Sequence, residues 1–280
     1  MEARWFPLCV DMSLSSVIYL CINLPWSEER RCTIAAQARR LGIEVQFVEA
    51  IAGRELPPQV PGYDRAERSK CYNHDLTPNE IACVLSHRKA LCTFMESEAE
   101  YAVIMEDDAL LKPNIKEGVN ELIHQLHGWE AAKLYSDVEC TLYPLGDNAK
   151  GVVVQAVMPR KLLWGAVGWL YSRSAAQKLV EGMRTFSLAA DEQIGHILLE
   201  QSIPCMGVSP SLISTSDPHH ENSVIDTASC QRAHQKRYRG PLQYLRYRWS
   251  VIRISCAKKR MLHLMKQRLH RDTAVYQEME

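Results

Sequence analysis

Residues 101–111 read Tyr-Ala-Val-Ile-Met-Glu-Asp-Asp-Ala-Leu-Leu, an apolar run short enough to be a buried strand that ends in three consecutive carboxylates, Glu106, Asp107 and Asp108. Open α/β sheets bind ligands beyond the carboxyl ends of their strands, so the pattern predicts such a sheet with a site at the end of this strand. Three adjacent acids repel one another, and a cation or a cationic partner offsets that cost. Hard divalent metals, held by carboxylates and bridged to a substrate diphosphate, meet the requirement. A solvated, inert acidic turn is the alternative, because short acidic motifs recur by chance.

The flanking sequence agrees with an α/β fold. Residues 17–24 read as a first buried strand, and Ser27 caps a helix with Glu28 and Glu29 in its first turn, Ile34, Ala38 and Leu41 at helical spacing, and Gly42 at its end. Residues 44–50 alternate as a second strand, which completes a βαβ opening and predicts a parallel sheet. The proline- and glycine-containing stretch 52–76 is expected to be a long irregular loop. Thr77-Pro78-Asn79-Glu80 is a capping box with proline at the first helical position. The helix it opens buries Ile81, Val84, Leu85, Leu91 and Phe94, and its other face presents Ser86, His87 and Arg88. Further strands are expected at 138–142, 152–157, 162–171 and 203–208, a helix capped by Ser174 running to 184, and a second helix from Asp191 or Glu192 to Gln201.

Net charge is zero but unevenly placed. Residues 231–280 carry 13 Lys and Arg against 3 Asp and Glu, a balance of +10, which leaves 20 against 30, or −10, in residues 1–230. That split suggests an acidic catalytic body with a basic appendage aimed at an anionic partner. None of the ten cysteines has C-x-x-C spacing, and several sit in apolar runs, so a reducing cytosol is the economical reading. No apolar stretch approaches a membrane span, and the first residues make a poor secretory signal. Three parts are expected: an N-terminal extension over 1–15, a catalytic domain over 16–230 and a basic helical tail over 231–280.

Taken together and in order, Ile22-Asn23-Leu24 with Arg30, Leu76-Thr77 through Ser86-His87, Ile104 through Asp108, Gly165 through Ala176, and Asp191 resemble glycosyltransferase family 25. These are lipopolysaccharide and lipooligosaccharide sugar transferases related to collagen galactosyltransferases. Where that family usually has Glu-Ile-Gly-Cys, this chain has Glu80-Ile81-Ala82-Cys83. The resemblance implies a GT-A type, Rossmann-like fold, a nucleotide-sugar donor such as UDP-galactose, a divalent metal (manganese or magnesium) and inversion at the anomeric carbon. Chemistry asks for similar parts: a Lewis acid for the diphosphate leaving group and a base for the acceptor hydroxyl.

Asp108, furthest out of the strand, is the first candidate metal ligand, and Glu106 and Asp107 are candidates for the ribose or the metal. His219 or His220 could add a ligand from the far side, although adjacent loop histidines are commonly just solvated. Asp191 opens a helix, where the dipole favours the ionised carboxylate, and is either the acceptor-side base or an N-cap, with Glu192 as the fallback base. Arg30 or Arg31 could meet donor phosphates. Asn23, by its place in the resemblance, and Ser86 and His87, on the helix beside the catalytic strand, are candidates for the nucleotide pocket. Trp164 and Trp169 could stack on a sugar or belong to the core.

In the tail, Leu242, Leu245, Trp249, Ile252, Cys256 and Leu262 or Met265 approximate a helical stripe among cations. Such a helix suits a membrane interface, which a lipid-linked oligosaccharide acceptor would favour, and it could instead cover the catalytic domain or bind nucleic acid. The leading expectation is a metal-dependent inverting glycosyltransferase, peripheral on the inner face of the cytoplasmic membrane, with no nucleic-acid partner. The alternatives are a catalytically inactive relative acting as a scaffold, and a metal-dependent phosphotransferase or nuclease.

Overall fold

The computed structural model describes residues 16–135, 142–145, 151, 153–159, 162, 165–215 and 240–277. The expected strand at 138–142 falls almost wholly outside them. Strand β1 (Val17–Asn23), helix α1 (Glu28–Leu41) and strand β2 (Val45–Glu49) form the βαβ opening. Ser27 makes no side-chain cap bond, but Gly42 closes α1 in the left-handed region at φ 62°, its N–H and that of Ile43 returning to the last turn.

The stretch between β2 and the next long helix is not all irregular. A short 3-10 turn at Gly53–Glu55 is followed by α2 (Arg65–Cys71), whose N-cap Asp64 accepts from the Glu67 N–H. Arg-Ala-Glu-Arg-Ser-Lys-Cys has no apolar stripe, so periodicity gives no warning of α2. Helix α3 (Pro78–Glu96) carries the full capping box: Thr77 accepts from the Glu80 N–H, and the Glu80 carboxylate accepts from the Thr77 N–H.

Strand β3 (Tyr101–Glu106) delivers the acids, and β4 (Ala109–Leu111), α4 (Ile115–His124), β5 (Ala131–Lys133), β6 (Leu142–Pro144), β7 (Gln155–Pro159) and β8 (Gly168–Ser172) follow. Helix α5 (Arg173–Gly182) is capped by Ser172, which accepts from the Ala175 N–H; Ser174 instead donates to Glu130. Helix α6 (Ala190–Glu200), β9 (Cys205–Ser209), β10 (Ile213–Thr215) and α7 (Pro241–Gln277) complete the described elements.

Eight strands form one sheet in the order β2-β1-β3-β8-β5-β9-β7-β6. The predicted parallel pairing holds for β2-β1-β3 and for β5-β9, whereas β8 runs antiparallel between β3 and β5, so the sheet is mixed. A helical crossover forces parallel neighbours only locally, and the polarity of β8 depends on chain far from the opening. From β1 the chain steps one way to β2 and then crosses back to β3 on the other side. The carboxyl ends of β1 and β3 are therefore a topological switch point, where α/β folds open a ligand crevice.

Helices α3, α5 and α6 pack together on one side of this sheet. Helix α7 lies against α2 and α6 and buries Ile254, Ala257, Met261, Met265 and Leu269. The predicted stripe is mostly the other face: Leu242, Leu245, Trp249 and Ile252 are 62%, 61%, 66% and 46% exposed, and Cys256 is exposed too. Of its alternatives, Met265 belongs to the inner face. Both stripes fit helical spacing, and only the surface offered by α2 and α6 decides which is covered. Gln243 donates to the Ser69 and Tyr72 carbonyls, and Arg253 pairs with Glu200, tying the helix down further. No helix among the described residues is long and apolar enough to cross a membrane.

Candidate active site

The register of β1 on β3 places Ile22 beside Glu106, so Asn23 and Asp107 emerge side by side at the switch point. Asn23 Nδ2 donates to Asp107 Oδ2 at 2.8 Å and to the Ser27 carbonyl, fixing the start of α1 to the acid turn. Arg30, in the first turn of α1, holds Asp107 Oδ1 at 3.0 Å. Arg31 turns away and lies 4.2 Å over the Phe47 ring.

The three acids do not share one partner. Glu106 Oε1 lies 2.9 Å from His87 Nε2 and 4.0 Å from Cys83 Sγ, on the α3 side. Asp107 faces α1. Asp108 Oδ2 accepts from Thr215 Oγ1 at 2.8 Å, brought there by the antiparallel pairing of β10 with β4. Of these contacts, only that of Arg30 with Asp107 pairs an acid with a permanent cation. Asp108 Oδ1 is buried and has no hydrogen-bond partner among the described residues. Burial and the neighbouring Glu106 push the Asp108 carboxyl up to about 6, against a smaller lowering by Thr215.

The three acids, Arg30, Cys83 and His87 line a cavity of about 520 Å³, together with Trp26, Arg54 and the turn at Ala50–Gly53. That size suits a nucleotide-class ligand. At its rim the Arg54 guanidinium lies 3.8 Å over the half-exposed Trp26 ring. Ser86 and His87 are each 3% exposed, so they belong to the buried inner face of α3, contrary to the outward placement expected from the sequence. Ser86 accepts from the Ile51 N–H at 2.8 Å and donates to the Ala82 carbonyl, which stitches α3 to the loop leaving β2. A stripe drawn from large apolar side chains misses small or polar residues that the same face buries.

Asp191 is the second residue of α6 and not its cap, which is Ala189. Its Oδ2 accepts from the Gly165 N–H at 2.8 Å and its Oδ1 from the Glu192 N–H. Burial raises its carboxyl above the ordinary value, while these two N–H groups and Lys133 pull it back. Gly165 has φ 78°, and a Cβ there would meet the Tyr135 ring at 2.9 Å, so the loop approaching Asp191 needs glycine. Asp191 and Glu192 do not line the 520 Å³ cavity. Trp169 is buried and stacked on Tyr171 at 5.8 Å and 5°, which makes it core rather than a sugar platform. Trp164, His219 and His220 lie outside the described residues.

Cys83 and Thr215 were not singled out from the sequence. The helical spacing of Cys83 to His87 was available as a signal, but no local pattern marks Thr215, whose contact depends on the β10–β4 pairing. Among the described residues, two donor sets for a cation thus emerge: Asp108 Oδ1, and the group Cys83, His87 and Glu106, whose donor atoms lie within 4.8 Å of one another. An unpartnered buried carboxylate oxygen beside further carboxylates fits a hard divalent ion.

A family model described as glycosyltransferase family 25 (LPS biosynthesis protein) matches residues 17–194. The chain belongs to glycosyltransferase family 25. The match takes in Asn23, Arg30, Ser86, His87, all three acids, Asp191 and Glu192, and stops before β10 and α7. Curated relatives include a glycosyltransferase 25 family member of Aedes aegypti, 27% identical over 179 residues, covering 59% of this chain and 28% of its own. Procollagen galactosyltransferase 2 of Mus musculus is 27% identical over 172 residues, covering 57% of this chain and 26% of its own. The match therefore spans little more than a quarter of either relative's length. Among solved structures, a putative glucose-1-phosphate thymidylyltransferase from Bacillus anthracis in complex with a sucrose aligns over 80% of this chain and 78% of its own, at 12% identity and a TM-score of 0.34.

Proposed function

We propose that this family 25 chain is a metal-dependent inverting glycosyltransferase that moves a sugar from a UDP-sugar to a glycan hydroxyl. The observation that carries the reading is Asp108 Oδ1, a buried carboxylate oxygen without a partner among the described residues, in a nucleotide-sized cavity at the switch point of the sheet. Galactose is the proposed sugar, prompted by the name of the procollagen galactosyltransferase relatives. A lipooligosaccharide-type acceptor is prompted by the family description.

Asp108 is the proposed principal ligand of manganese or magnesium. Asp107, with both oxygens already engaged, is suited to orienting Asn23 and Arg30 around it. His219 or His220 is proposed as a further ligand: Thr215 touches Asp108, and His219 follows four residues later, a separation that the chain spans within about 14 Å. When bound, such an ion supplies Lewis-acid stabilisation of the diphosphate leaving group. Arg30 adds a guanidinium that recognises phosphate oxygens, and His87 and Ser86 shape the cavity wall. Asp191 takes the acceptor proton as its hydroxyl attacks the anomeric carbon from the face opposite the leaving group, with Glu192 as the alternative base.

The acceptor is proposed to be lipid-linked and met at the inner face of the cytoplasmic membrane. Support comes from the outer face of α7, where the exposed Leu242, Leu245, Trp249 and Ile252 lie among Arg246, Arg248, Lys259 and Arg260. A panel of nucleotide sugars tested for metal-dependent thermal stabilisation examines the donor reading. A UDP-sugar at about 100 times its Kd should add about 2.7 kcal/mol, and only with manganese or magnesium present. No stabilisation by any nucleotide sugar with either metal would overturn it.

A further inference from the structure

Cys83 and His87 lie one turn apart on α3, and both side chains converge on Glu106 at the end of β3. Two ligands at i and i+4 on one helix, completed by a third from a neighbouring element, is an arrangement by which proteins hold zinc. A thiolate, an imidazole and a carboxylate form a softer donor set than the oxygens available at Asp108, so the two sets prefer different metals. All three residues also line the 520 Å³ cavity, which leaves a fourth tetrahedral position open towards it.

We propose that Cys83, His87 and Glu106 form a site for a zinc-class divalent cation in the wall of the cavity, and that its occupancy blocks the donor. On binding, the Cys83 S–H bond breaks, a sulfur–metal bond forms and the proton leaves to solvent. The His87–Glu106 contact gives way, Nε2 and Oε1 both turning to the cation. The blocking part rests on the nucleotide-sugar reading of the cavity; the metal site does not.

Cobalt(II), an optical stand-in for zinc, is added to the reduced, metal-stripped full chain. One equivalent should bind with a thiolate-to-cobalt charge-transfer band that zinc abolishes by displacement. In folded Cys83→Ala the band should vanish. His87→Ala should weaken zinc by at least about tenfold, since even groups that only support metal ligands are worth that much. Should the variants fail to fold, zinc protection of Cys83 from alkylation in the unaltered chain, read by mass spectrometry, carries the test. No band, a band undiminished in folded Cys83→Ala, or an unprotected Cys83 overturns the site. Blocking is read by calorimetry of UDP with manganese: the binding should be lost after one equivalent of zinc. Unchanged affinity rejects blocking. UDP that binds neither form rejects the nucleotide reading and blocking together, and the cobalt spectrum still decides the metal site.

Discussion

Asp108 combines a carboxyl pushed up to about 6 with an oxygen that no hydrogen bond from the described residues satisfies. Its folded-state pKa stands above the unfolded value of about 3.9, so folding takes up a proton in that interval. The contribution of Asp108 to stability is therefore most favourable below about pH 4 and is lost as pH rises through about 6. Metal-free wild type and Asp108→Asn, compared by urea unfolding across that range, should show the variant gaining on wild type as pH rises; a constant difference would contradict the assignment. Asp191→Asn is expected to leave donor affinity near wild type while lowering turnover by roughly 100-fold or more, the scale of general base catalysis. If turnover survives and Glu192→Gln abolishes it, the base is the neighbour. The triplet Glu106-Asp107-Asp108 was legible because an apolar run ending in acids is a local pattern. The separate fates of the three acids were not, since Asn23, His87 and Thr215 reach them from other elements.

At the scale of elements, α7 holds two apolar stripes that a helical wheel cannot rank. The one centred on Trp249 faces solvent, while Ile254, Ala257, Met261 and Met265 pack inward. Met265→Ala is expected to destabilise the protein by about 2–5 kcal/mol and Trp249→Ala to change stability by only about 0.5 kcal/mol, as read from denaturant midpoints. Trp249→Ala should instead weaken flotation with anionic vesicles, and binding of the unaltered chain should decline with added salt. Equal stability losses would mean that the face assignment is wrong; unchanged flotation would reject the membrane role. Because α7 packs on α2 and α6, point substitutions test that role more cleanly than removal of the helix. The capping box at Thr77 was readable since its signals lie within four residues, whereas polar α2 offered no periodic signal at all.

Across the whole molecule, the sequence pattern foretold strand, helix, strand, because a βαβ unit confines its strands to adjacent parallel positions, and an acid turn at the end of a buried strand. It could not foretell the antiparallel insertion of β8, which separates the opening half of the sheet from β5 and β9. Nor could it foretell that β10 returns to pair with β4 and brings Thr215 to the acid turn. The site is thus built from one local motif and several distant contributions, with Asp108 its proposed metal ligand. Calorimetry of UDP binding with manganese, on wild type and Asp108→Asn, tests that role most directly. Wild type should bind UDP only with manganese, and folded Asp108→Asn should lose that binding; equal manganese-dependent affinity in both proteins would contradict the metal role of Asp108.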